Sequence, residues 1–288
     1  MTSILPRHVV LSRGKDTPHL RLLGDAYVSR SLPFDVLTPA RYAALARAGW
    51  PGQSPPTTAL VRLPSGVSPA DMSALTAAAA TGETRWIDPP AHIAAVHDKE
   101  LCLELLASAG LAVPPTVVAR REQPLDLSSL PGEKFVVKPI RGSSGRGVTV
   151  GLSRGEAGAR AQAYAELCGP ALVQPLLGGG LDRRLVLVGG QLVAAMERIP
   201  VAGDGRGNTV YGAAARAFEP SQEELQLAQD AARVLGLSVA GVDLLRDGDA
   251  PLILEVNTCP GLAALQAATG AQLGAALVRH VLGESAVV

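Results

Sequence analysis

Val239-Ala240-Gly241-Val242-Asp243-Leu244-Leu245 and Pro251-Leu252-Ile253-Leu254-Glu255-Val256-Asn257 are the stretches that decide how this 288-residue chain folds. Both runs are short and rich in Val, Leu and Ile. Arg246-Asp247-Gly248-Asp249 separates them, so they read as two strands joined by a tight polar turn. Strand side chains alternate faces, which puts Glu255 and Asn257 on one side and Val256 on the other. Folding the hairpin about Gly248 brings Asp243 roughly opposite Glu255. Three oxygen-bearing side chains then converge, and a set of hard donors, two anionic and one neutral, suits Mg²⁺ better than zinc or copper. Taken singly, each would read as a turn-proximal acid or a solvated strand end.

A second constellation lies upstream. Lys134-Phe135-Val136-Val137-Lys138-Pro139-Ile140 is followed by Arg141-Gly142-Ser143-Ser144-Gly145-Arg146-Gly147 and then Val148-Thr149-Val150. This is strand, glycine loop, strand. Three glycines in six residues let backbone amides turn inward as an anion nest, and Ser143, Ser144 and Arg146 add donors at the tip. The lysine precedes the loop, and the loop leads into a strand. That excludes the phosphate loop whose lysine follows the glycines and opens a helix. Hairpin turns are also glycine-rich, so the loop alone leaves phosphate binding and a plain turn both open.

Composition narrows the class. Net charge is zero with a pI near 7.0, so no electrostatic argument favours nucleic acid or an anionic membrane. No apolar run approaches a membrane span, and Met1 to His8 lacks a basic-then-apolar leader pattern, so a cytoplasmic protein is expected. Cys102, Cys168 and Cys259 are odd in number and widely spaced, against a disulfide framework or a zinc site. The first ninety residues alternate short apolar runs, Val9-Val10-Leu11, Phe34 to Leu37 and Ala59 to Leu63, with helical stretches, which suggests a small parallel sheet. Ser12-Arg13-Gly14 follows the first of these runs and reads equally well as a cleft-facing segment or a plain strand-to-helix turn. Ser221-Gln222-Glu223-Glu224 is a capping box opening a helix that Gly236 ends, and a last helix is expected over Ala271 to Leu282.

From about His97 to the C-terminus the chain resembles the ATP-grasp enzymes, specifically the RimK branch of carboxylate–amine ligases. The similarity rests on Asp98-Lys99, Gly110 to Pro114, Val137-Lys138-Pro139 with its glycine loop, Val173-Gln174 and Asp182-Arg183-Arg184. It continues through Ala194 to Arg198, Gly203 to Asn208, Val239 to Asp243, and Leu254 to Gly261. The resemblance implies an α/β (α+β) ATP-grasp fold with a small N-terminal parallel-sheet domain. The pieces expected are 1–91, 92–172 and 173–288, the last two gripping ATP between them.

Carried over by position, Lys99 and Lys138 would meet the ATP phosphates and adenine edge, beside the donors Ser143, Ser144 and Gly145. Gln174, Pro175, Leu176 and Leu177 would form the hinge against adenine, through the Pro175 carbonyl and the Leu176 or Leu177 amide. Pro175 stands where relatives carry glutamate. Asp182 begins an Asp-x-Arg element as a nucleotide contact, Arg184 and Arg206 counter the transferring charge, and Asn208 approaches the phosphates or metal. Asp243, Glu255 and Asn257 would hold Mg²⁺, with Mn²⁺ as a substitute. Tyr211 and Val210 stand where relatives carry arginine and histidine, which bears on the substrate.

The resemblance further implies a ligase that forms a peptide or isopeptide bond through an acyl phosphate, acting on an amino acid, a peptide or a protein C-terminus. A carrier-protein acceptor and a homo-oligomer belong to the same expectation. The alternatives are phosphotransfer through a histidine, for which His97 is the candidate, and a nucleotide-binding regulatory module.

Overall fold

The computed structural model describes residues 7–14, 17–143, 145–199, 214–248 and 250–284. Ser144, Arg206, Asn208, Val210 and Tyr211, singled out above, lie outside them.

A parallel sheet opens the chain, with strands β1 (His8–Leu11), β2 (Phe34–Leu37), β3 (Thr58–Val61) and β4 (Arg85–Ile87) in the order β2-β1-β3-β4. Helices α1 (Pro18–Val28), α2 (Pro39–Arg47) and α3 (Pro69–Thr81) begin in one way. Thr17, Thr38 or Ser68 accepts a backbone N–H from the first turn, and a proline follows with its φ preset for a helix. The expected parallel sheet is therefore present, with β4 as a strand the apolar pattern did not announce.

After α4 (Pro90–Val96) and α5 (Lys99–Ser108) comes an antiparallel sheet of β5 (Val117–Ala119), β6 (Phe135–Pro139), β7 (Thr149–Leu152) and β8 (Ala171–Pro175), in the order β5-β8-β6-β7. Helix α6 (Arg154–Cys168) opens on a Ser153–Glu156 capping box and packs Ala157, Ala161 and Ala165 against Phe135, Val137 and Val173. The expected boundary at 172/173 falls inside β8, which is paired with β5 as far as Val173 and with β6 as far as Pro175.

The third sheet is antiparallel and runs β11-β10-β9-β12-β13, formed by β9 (Asp182–Val188), β10 (Gln191–Ile199), β11 (Ala214–Ala217), β12 (Val239–Asp247) and β13 (Ala250–Asn257). Its two faces are separate cores. Val186, Val188 and Val239 pack against α1 and the closing helices α8 (Leu262–Thr269) and α9 (Leu273–Leu282). Leu185, Leu187, Ala240 and Val242 pack against α7 (Gln222–Val234), with Val96 and with Cys102 and Leu106 of α5. The predicted capping box of α7 is formed by Ser221 and Glu224, while α9 begins two residues later than expected. Helix α5 thus belongs to the core of the third sheet while its N-terminus touches the second. Among the described residues no helix is long and apolar enough to cross a membrane.

Candidate active site

The β12–β13 hairpin supplies the carboxylates. Counting back from the turn pair Asp247↔Ala250 would set Asp243 against Leu254. A bulge between Asp243 and Leu244 shifts the register so that Asp243 faces Glu255 and Gly241 faces Asn257. The expected convergence is therefore met, and the irregularity in the ladder is what produces it. Gly241 has no side chain because Pro260 crosses it: a Cβ there would sit 2.6 Å from the Pro260 Cβ.

Asp243 is 2% exposed and carries the densest set of contacts. Arg184 Nε and Nη2 donate to its two oxygens, both at 2.6 Å, Arg198 Nη2 lies 2.9 Å from Oδ2, and Asn257 Nδ2 donates to Oδ2 at 3.2 Å. Burial alone would raise its pKa, but the two guanidinium groups and their hydrogen bonds hold it at about 2. Arg198 also donates to Asp182, which lies across from it on β9. Asp182 has the single arginine, so burial wins there and its carboxyl is pushed well above the ordinary range. The carboxylate expected at the nucleotide is thus buried and committed to Arg198.

Arg183 and Arg184 separate as alternation requires. Arg183 turns to the other face, pairs with Glu197 and Glu224 and stacks over Phe218. Arg198 was within a quoted motif yet not assigned a role. A bulge between Leu192 and Ala194 hides it, because unbroken counting from the Gly189-Gly190 turn would place Glu197 opposite Asp182.

The cations come from the second sheet and from α5. Asp98 caps α5 by accepting from Leu101 N–H and takes Arg141 at 2.9 Å, fixing the start of the glycine loop to the helix end. Lys99, the next residue, donates to the Gly142 carbonyl at 2.8 Å and lies 3.3 Å from Glu255. Lys138 sits on β6, 6% exposed; burial pulls its pKa down from 10.5 to about 8, with Glu255 pulling the other way. The loop reaches β7 as expected. Gly145 and Gly147 have φ of 70° and 77°, and a Cβ at Gly147 would come within 2.8 Å of Pro139. Ser143 lines the cleft.

In the hinge, Gln174 is buried and donates to Thr116 at 2.7 Å, and Pro175 pairs with Phe135. Leu176 N–H is taken by the Lys134 carbonyl at 2.8 Å. Of the two amides expected to read adenine, this leaves Leu177.

Between the first and third sheets lies a cavity of 460 Å³, lined by Ser12, Arg13, His19 and Arg62 on one side and by Arg184, Arg198, Asn257 and Cys259 on the other. Ser12-Arg13-Gly14 therefore does face the cleft. His97 is buried, accepts or donates at Thr258 Oγ1 over 3.1 Å, and is pushed down to about 4 by burial and by Lys99 and Arg141. Cys102 is buried in α5 with its thiol pushed up to about 12.

The all-oxygen set of Asp243, Glu255 and Asn257 fits a hard divalent cation. Asp243 is ionised, and with Nδ2 of Asn257 committed to Asp243, Oδ1 is the atom of that amide suited to a cation. Among the described residues Oδ1 of Asp243 accepts from Arg184 Nε alone, which makes it the carboxylate oxygen with a lone pair left for a cation.

Residues 96–281 match the RimK-like ATP-grasp domain. A probable alpha-L-glutamate ligase of Marinomonas sp. (strain MWYL1) is 35% identical over 202 residues, covering 69% of this chain and 67% of that one. The fold is that of a RimK-domain ATP-grasp protein from Sphaerobacter thermophilus DSM 20745, with a TM-score of 0.72 at 22% identity over 96% of this chain and 100% of the other. It is equally that of D-alanine–D-alanine ligase from Bacillus anthracis complexed with ATP, with a TM-score of 0.71 at 16% identity over 96% of each chain. The chain belongs to the RimK-like ATP-grasp family of ligases.

Proposed function

We propose that the protein is an ATP-dependent carboxylate–amine ligase acting on an amino acid or peptide. The observation that carries this reading is the bulge-set face on which Asp243, Glu255 and Asn257 meet, with Lys99 joining Glu255 to the glycine loop. ATP would lie between the second and third sheets, its adenine against Pro175 and Leu177 and its phosphates toward Lys99, Lys138, Ser143 and Gly145.

An amine does not displace oxide from a carboxylate, so the carboxylate is activated first. A substrate carboxylate oxygen attacks the γ-phosphorus of ATP, the bond to the β-phosphate oxygen breaks, and ADP leaves an acyl phosphate. The amine nitrogen then attacks the carbonyl carbon, the carbon–oxygen bond to phosphate breaks, and the nitrogen loses a proton. Transfers of this kind depend on position and charge compensation rather than on a protein nucleophile. Arg184 and Lys138 offer that compensation, and Arg206 joins them by its place in the family pattern. Mg²⁺ held by Asp243, Glu255 and Asn257 would neutralise phosphate oxygens.

Phosphotransfer through His97 is the weaker reading, because that ring is buried, neutral and bonded to Thr258. The regulatory-module reading would be served by a degraded set of charged residues, whereas Lys99 pairs with Glu255, Arg184 and Asn257 bond Asp243, and Lys138 feels the charges of Glu255 and Asp243.

The test is ADP and phosphate release from Mg-ATP across a panel of amino acids and short peptides, with mass spectrometry of every positive well. A condensation product bearing a new amide is expected. ATP binding with no turnover on any pair would overturn the ligase reading for small substrates.

A further inference from the structure

A second cavity, of 560 Å³, lies at the far end of β9 from Arg184 and, among the described residues, shares no lining with the cleft. Its walls come from the start of β4, the β9–β10 turn and the outer end of α9. Arg85 opens β4, so the cavity sits at the amino end of the parallel sheet, whereas the cleft lies at the carboxyl end, after β1 and β3. Val188 is four residues along β9 from Arg184, which puts about 13 Å of strand between the two spaces. The volume is that of a small-molecule site, which is typically about 300–1,000 Å³. The walls are also fixed to each other. A Cβ at Gly189 would sit 3.1 Å from His280 Nδ1, and Gly189 N–H donates to the Ser238 carbonyl at 2.7 Å.

Two guanidinium groups line this space, and neither has a carboxylate partner among the described residues. Arg85 Nη2 donates to the Val281 carbonyl. Arg279, on α9, has its Nε buried with no acceptor. Glu284 is the acid of the lining, and Arg30, from outside the cavity, takes it at 2.6 Å. Burial pushes the pKa of His280 below 6.5, so at neutral pH its ring adds a polar edge and no charge. Cations in the last turn of a helix suit the helix dipole, which accounts for the charge of Arg279. It does not account for a donor shielded from water and left unpaired, a costly arrangement for a charged group.

We propose that Arg279 and Arg85 form a second ligand site, separate from the cleft, for a small organic anion with an apolar body. Its carboxylate or phosphate oxygens supply the acceptor that Arg279 lacks, as a hydrogen bond and a countercharge together. Its body lies against Val188, Leu192, Val193 and Ala276, the apolar part of the lining. No residue of the ligase reading takes part, so the two readings stand or fall separately.

The experiment titrates benzoate, benzamide and phenyl phosphate calorimetrically into wild type, Arg279→Gln and Gln191→Trp, with and without Mg²⁺ and a non-hydrolysable ATP analogue. Benzoate and benzamide share a body and differ in charge, and the tighter of benzoate and phenyl phosphate identifies the head group. Wild type is expected to bind an anion and to prefer benzoate to benzamide. Arg279→Gln should weaken the anion roughly tenfold to a hundredfold, the worth of one charge-assisted hydrogen bond, and leave benzamide unchanged. Gln191 is exposed at the cavity, so Gln191→Trp lays an indole across the opening without touching the core and should weaken all three probes. It keeps the test open if Arg279→Gln does not fold. The ATP analogue should leave the anion's affinity as it was.

Absence of anion binding to wild type at millimolar concentration, or equal affinity for benzoate and benzamide, would overturn the site. So would equal losses for benzoate and benzamide in Arg279→Gln, which would make the arginine a structural support. An anion displaced by the ATP analogue, or indifferent to both substitutions, would be bound elsewhere and would overturn it as well. Each of these outcomes leaves the ligase reading standing.

Discussion

Replacing Lys138 by methionine is expected to stabilise the ligand-free protein and to abolish nucleotide binding. The ammonium is 6% exposed, and burial brings its pKa from 10.5 to about 8 in spite of Glu255. Each pH unit of that difference is worth about 1.4 kcal/mol, so keeping Lys138 charged at pH 7 costs the fold on the order of 3 kcal/mol. The sign follows from proton counting. Between pH 8 and 10.5 the unfolded chain holds the proton more tightly, so the penalty is present in full below about pH 8 and fades as pH rises toward 10.5. Methionine fills similar space without a charge. Denaturant titration should find Lys138→Met more stable than wild type by about 3 kcal/mol at pH 7 and by roughly half as much at pH 9.5. A variant no more stable at pH 7, or a difference that ignores pH, would refute the reasoning. The functional counterpart is an affinity for ADP that is flat below about pH 8 and weakens above it, because anion binding there requires proton uptake by Lys138.

Glu255→Ala should remove turnover while leaving the circular dichroism spectrum unchanged, and wild-type turnover would sink the metal assignment. Arg198→Met strands Asp182 and Asp243 without their shared partner and should cost about 3–5 kcal/mol in a denaturant titration. That loss should be smaller at pH 5 than at pH 8, since burial already favours the protonated Asp182, and a pH-independent loss would contradict the cluster's energetics. Gly241→Ala places a Cβ 2.6 Å from Pro260 and pushes on the turn that Arg62 grips. Its expected mark is a loss of about 1–3 kcal/mol in a denaturant titration, and a variant as stable as wild type would contradict the close crossing of Pro260.

Most of the fold was legible because its signals are local. The Ser221 to Glu224 box announces α7, and alternating short apolar runs announce the first sheet. The metal-type face was legible in outline because Asp243 and Glu255 are both near one turn. Arg198 was missed for a nameable reason: a single extra residue at the Leu192/Ala194 bulge reverses which of Glu197 and Arg198 meets Asp182, and bulges leave no mark in an apolar period. Arg62 was read only as part of an apolar strand run, because its contacts arise when the Thr258–Pro260 turn from the far end of the chain comes to it. The Leu176 amide was misjudged similarly, since its acceptor on Lys134 lies across a strand pair.

The ligand-free cleft holds its own charges in pairs that a substrate must exchange. Lys99 rests on Glu255, and Arg184 and Arg198 rest on Asp243. Lys99, Arg184 and Arg198 are thus already oriented, each with a carboxylate that would stand in for substrate charge in the proposed reaction. The reorganisation left for catalysis is then small, because one set of oxygens replaces another around fixed guanidinium groups. It also predicts interdependence. A cation at Asp243 would weaken its hold on Arg184, so occupation of the metal face and arrival of a substrate carboxylate should each favour the other. Measured as binding, that coupling is reciprocal. Arg13 and Arg62 stand outside this exchange, with carbonyls as partners and no carboxylate to release.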